Sequence, residues 1–135
     1  MKQEDKELLL KDLCARLPYG VKVNVKGVIY DNRSCRLTDI HYGLNAYIGV
    51  PDGMQYHIES IKPYLFPLSS LPLIIEEHED EFNKIIDCQM QEIESNDIML
   101  SAFVTEMHLY NKYHIDYNNL IPKGLANDAT GLNIY

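Results

Sequence analysis

The histidines and the acids beside them are the first places to look for chemistry. His78-Glu79-Asp80-Glu81-Phe82 opens like the zinc-protease pattern, in which two histidines one helical turn apart hold the metal and a glutamate serves as base. Phe82 stands where the second histidine belongs. His108 and His114 are six positions apart, which on a helix sends them to different sides. His41 and His57 fall in separate expected strands and make at most one pair, short of a tetrahedral ligand set. No metal or cofactor is expected from these residues.

Nucleophilic and phosphate chemistry fare no better. Cys14, Cys35 and Cys88 are widely spaced and form no CxxC pair, so they read as reduced thiols. Cys14 lies on the apolar side of an expected helix, and Asp87 and Glu92 near Cys88 disfavour a thiolate there. No GxxxxGK[ST], GxGxxG or GxSxG string occurs. The acids of the second half offer many carboxylate pairs and select none. The chain carries no catalytic motif.

Two binding surfaces remain. Lys22, Lys26, Arg33 and Arg36 can gather on the outer face of the first two strands, with Tyr30 and Tyr42 nearby, a mixture of cations and rings that suits single-stranded nucleic acid. Against this, the chain has a formal net charge of −8. Residues 71–135 hold twelve acids against three lysines, and nine of the acids lie between Glu76 and Asp97. Such a half repels phosphate and attracts a basic partner. The second surface is Tyr64, Phe66 and Leu68, apolar side chains in a proline-bounded segment that suit a protein interface. The first expectation is therefore contact with a protein, itself basic; single-stranded nucleic acid on the basic face is the alternative.

The elements that must position these groups follow from periodicity. Leu9, Leu13 and Leu17 recur at helical spacing over residues 3–17, and Pro18 and Gly20 end the helix. Val21, Val23 and Val25 alternate with Lys22, Asn24 and Lys26 as a half-buried strand. A second strand spans Ser34 to Tyr42, its apolar phase slipping between Leu37 and Ile40 as at a bulge or break. Asn45 to Val50 and Met54 to Ile61 give two more. Pro63 and Pro67 are expected to stop ladder pairing, making the segment an extended strap over the sheet. Helices are expected over about residues 72–88 and 101–113, with a short turn at Tyr117–Ile121.

With 135 residues the chain has the size of one domain. It divides into a helix (1–18), a β region (19–70), an acidic helical region (71–121) and a loose tail (122–135). Grouped strands followed by grouped helices predict an α+β fold: an N-terminal helix, a small curled, barrel-like antiparallel sheet of four to five strands, and C-terminal helices. No stretch approaches the roughly 20 apolar residues that cross a bilayer. The mixed charges of the N-terminus are unlike a secretion signal, so a cytoplasmic location is expected.

Three blocks, KELLLKDLCARLPYGVKV, IESIKPYLFPLSSL and NKYHIDYNNLIPKGLA, occur in this order and cover about a third of the chain. Together they resemble a family of short hypothetical proteins from anaerobic gut bacteria, their prophages and phages. The resemblance implies a helix-led β domain with a C-terminal helix and a bacterial or mobile-element origin. It names no catalytic residue.

Overall fold

The computed structural model of the chain describes residues 1–26, 35–41, 47–49, 55–83 and 105–135. The leucine stripe forms α1 (Gln3–Arg16), with Glu4 and Asp5 in the first turn and Arg16 in the last, each on the favourable end of the helix dipole. A 3-10 turn, Leu17–Tyr19, follows, and Gly20 leaves it in the left-handed region at φ 69°, a conformation cheap only for glycine. The chain then enters β1 (Lys22–Val25), whose valines face inward as the alternation predicts.

The expected second strand is two strands. β2 (Cys35–Arg36) pairs with β1, and β3 (Asp39–His41) starts another sheet. The phase slip between Leu37 and Ile40 is the point where the chain passes from one sheet to the other. β3, β4 (Tyr47–Gly49) and β5 (Gln55–His57) form an antiparallel meander. A 3-10 turn at Ile58–Ser60 leads into β6 (Ile61–Leu65).

β6 corrects two expectations. The segment read as a surface strap is an inner strand: the larger sheet has the order β2-β1-β6-β7, where β7 is Asn127–Asp128. Pro63 is accommodated by register. Lys26 N–H donates to Ser60 C=O, so the bonded pairs of the antiparallel ladder fall at Ser60 and Lys62. Pro63, opposite Val23, occupies the alternate position, and β7 pairs only from Tyr64 onward. Its missing N–H costs the ladder nothing.

β7 runs parallel to β6, so the sheet is mixed and not purely antiparallel. It comes from the segment expected to be a loose tail, where Leu125, Ala126 and Ala129 are buried. With β2 and β7 at its ends the sheet is open among the described residues, so the barrel-like form is not observed. The arrangement is α+β.

The core lies between α1 and this sheet. Leu9 and Leu13 pack with Val21, Val23, Ile58, Ile61 and Leu65, and Leu120 and Leu125 close it from the C-terminal side. A smaller cluster around Phe82 and Leu109 takes up Leu71, Ile74, Ile75, Tyr110 and Tyr113. It joins α2 (Leu71–Glu77), the helical residues 79–83 and α3, the helical residues 105–112. The helix expected over 72–88 thus breaks at His78, whose φ of −125° and ψ of 39° are not helical; residues 84–88, like 101–104, lie outside the described residues.

Candidate docking cleft

After α3 the chain turns through His114, held in the left-handed region at φ 59°. Phe66 N–H donates to His114 C=O and Asp116 N–H to Phe66 C=O, both at 2.8 Å, extending the β6 strand by a bridge to Ile115. From behind, Arg16 donates to Ile115 C=O at 2.6 Å. Arg16 is fully buried and paired with Asp12 at 2.7 Å, its guanidinium lies 4.8 Å from the centre of the Tyr117 ring, and Asn118 also donates to Asp12. Asp116 accepts the backbone N–H groups of Leu120 and Ile121. His114 therefore sits on a backbone fixed from both sides.

Its ring stacks on Tyr135, centroids 3.7 Å apart and planes 15° from parallel. The Tyr135 hydroxyl accepts from Lys22 N–H at 2.8 Å and donates to Tyr64 C=O at 2.7 Å. The register would next pair Lys22 with Tyr64, so the phenol stands in for a rung of the β1–β6 ladder. The Lys22 ammonium donates to Ile134 C=O. Burial raises the Tyr135 pKa. Burial, with the Arg16 and Lys22 charges behind it, pushes His114 down to about 4, so the imidazole is neutral at pH 7.

A second stack faces the same space. His78, at the helix break, lies on Tyr113 with centroids 4.1 Å apart. Tyr113 donates to Glu81 at 2.7 Å, and Lys112 pairs with the same carboxylate at 2.8 Å. Those two bonds lower the Glu81 pKa, and the bond to Glu81 raises that of Lys112; burial and Glu81 raise Tyr113.

Between the two stacks opens a cleft of about 460 Å³, with Phe66, Leu73, Ile74 and His114 among its walls. That volume is within the usual range for ligand sites of roughly 300–1,000 Å³. Among the described residues the exposed large apolar side chains are Met1, Leu68, Leu73, Leu132 and Tyr135. All but Met1 belong to the two segments that flank this cleft, and Leu73 is 66% exposed. Glu76, Glu77, Glu79 and Asp80 frame an adjoining hollow that shares Glu77 and His78 with the cleft.

The residues singled out from sequence are distributed unevenly over this geometry. Phe66 lines the cleft, and Leu68 is exposed on the 3-10 turn beside it. Tyr64 is buried in β6 at 8% exposure and offers no surface. Lys22 and Arg36 are cross-strand partners and Lys26 is exposed, but the Lys22 ammonium is engaged with Ile134. Arg33, Tyr30 and Tyr42 lie outside the described residues, as does Cys88, whereas Cys14 and Cys35 are half-buried thiols. Among the described residues no three His, Cys, Asp or Glu side chains gather to hold a metal, and no helix is long and apolar enough to cross a membrane.

Tyr113, Tyr135 and Leu73 were not singled out by sequence, and His114 was weighed there only with His108 as a metal pair that the spacing argued against. The one local signal was the histidine directly after an expected helix, where the left-handed region is common. Comparison of the chain with family models, with curated proteins and with solved structures finds no match in any of the three.

Proposed function

We propose that this chain is a non-catalytic accessory protein of bacterial or phage origin, working in the cytoplasm, that docks a partner protein in the cleft between α2 and the C-terminal segment. One observation carries the reading: Leu68, Leu73, Leu132 and Tyr135 stay exposed around a cleft floored by Phe66 and His114. A small monomer gains nothing by wetting such side chains, whereas a partner that covers them recovers about 1.5–3 kcal/mol for each large apolar group. The walls are already in place, held by two ring stacks and by hydrogen bonds to the backbone, so docking costs little ordering.

The test uses the full chain and its Leu73→Asp variant, immobilised side by side. Leu73 is exposed, so the variant keeps its fold. The expected result is one stoichiometric protein retained by the parent chain and lost with the variant, with no change in thermal midpoint. Equal retention by both removes the cleft from the function. A titration with mixed oligonucleotides runs in parallel: steeply salt-weakened binding, abolished by Lys26→Glu or Arg36→Glu, assigns the function to the basic sheet face and overturns the proposal.

A further inference from the structure

We propose that the segment docking in this cleft is basic and amphipathic, placing apolar side chains between the two ring stacks and lysines or arginines along the acidic rim. This rests on the docking reading and adds the chemistry of the partner. The sign follows from the charges at and beside the site: Glu77 lines the cleft, and Glu76, Glu79 and Asp80 line the hollow that adjoins it. Glu76, Glu77, Glu79 and Asp80 have no cationic partner among the described residues. Lys112, the cation on the cleft wall, is neutralised by Glu81 at 2.8 Å, with a second contact at 3.0 Å. Lys22, behind Tyr135, is turned to the Ile134 carbonyl.

His114 supplies an independent observation. It is 7% exposed, lines the cleft and has a ring nitrogen, Nδ1, with no hydrogen-bond partner among the described residues. Its neutral imidazole gives the floor polarity without positive charge. An acidic segment docking here would lose the hydration of its carboxylates, gain no cation and meet Glu77 and the three acids of the adjoining hollow. A basic segment meets those acids while its apolar face covers Leu73 and Phe66.

Fluorescence anisotropy on the full chain tests this with three labelled synthetic peptides. One is an amphipathic helix of leucine, phenylalanine and lysine; the second replaces every lysine by glutamate; the third replaces every leucine and phenylalanine by serine. The first is expected to bind at least about tenfold more tightly than either of the others and to weaken as salt rises. Glu77→Gln with Glu79→Gln should weaken it severalfold without altering the thermal midpoint. Leu73→Asp is the decisive variant: it adds negative charge, so simple attraction of a polycation would strengthen, whereas docking in the cleft must weaken.

Stronger binding to Leu73→Asp, or equal binding of the serine peptide, overturns the proposal as mere polycation attraction. Equal binding of the lysine and glutamate peptides, both lost in Leu73→Asp, overturns the basic partner and leaves the docking function standing. Failure of all three peptides also overturns the basic segment, and the docking function is then decided by capture with the parent and Leu73→Asp chains.

Discussion

Protonating His114 would bury a charge beside Arg16 and Lys22, and that sets a pH dependence for the whole fold. The folded pKa is about 4, below the ordinary 6.5. Between those values the unfolded chain takes up a proton that the folded chain refuses, so stability falls as pH drops from about 6.5 towards 4 and is fully restored above 6.5. The loss is on the order of 3 kcal/mol. Urea titrations across this window should show it for the parent chain and a flatter profile for His114→Asn, since asparagine tolerates the same left-handed backbone. Asp12 gives a second residue-scale prediction. Asp12→Ala leaves the Arg16 guanidinium buried without its carboxylate and should cost about 3–5 kcal/mol in urea denaturation. A loss under about 1 kcal/mol would mean that the Ile115 carbonyl and the Tyr117 ring hold Arg16 unaided.

At the scale of elements, α1 and β1 were legible because one apolar face repeats over enough residues to reveal its period. The composition of β6 was legible but its place was not: proline argues against an inner strand, and only the ladder's alternation shows that Pro63 falls where no N–H is needed. β7 has two residues, too few for any period, and its parallel pairing depends on a strand more than sixty positions earlier. The cleft was opaque for the same reason. Phe66 and Leu68 stood out as apolar residues between prolines, whereas the pairing of Tyr135 with Tyr64 spans 71 positions and leaves no local trace. That pairing is open to test. Tyr135→Phe keeps the ring over His114 but removes the bridge between Lys22 N–H and Tyr64 C=O, and it should cost about 0.5–1.5 kcal/mol. Hydrogen exchange should quicken first at Lys22 and leave the amide of Asn24, in the middle of the β1–β6 ladder, protected.

Taken as a whole, the molecule sets a neutral amino-terminal half, nine bases to eight acids over residues 1–70, against a strongly acidic remainder. The exposed pairs Lys6–Glu59 and Lys112–Glu81 contribute little to stability, so added salt should scarcely move the thermal midpoint while it weakens any basic partner. The bond from Arg16 to Ile115 joins residues 99 positions apart, and it bears on the protein's birth at the ribosome. Helix, first strand and inner strand are all synthesised before the groups that seal them, Ile115, Leu120 and Leu125, have left the exit tunnel. At about 5–20 residues per second the nascent chain waits several seconds with a buried-type arginine and open valines in water. Chaperone capture and protease sensitivity should therefore concentrate in that interval, and stalled chains with Ile115 still inside the tunnel should be digested where those with Ala129 outside it resist.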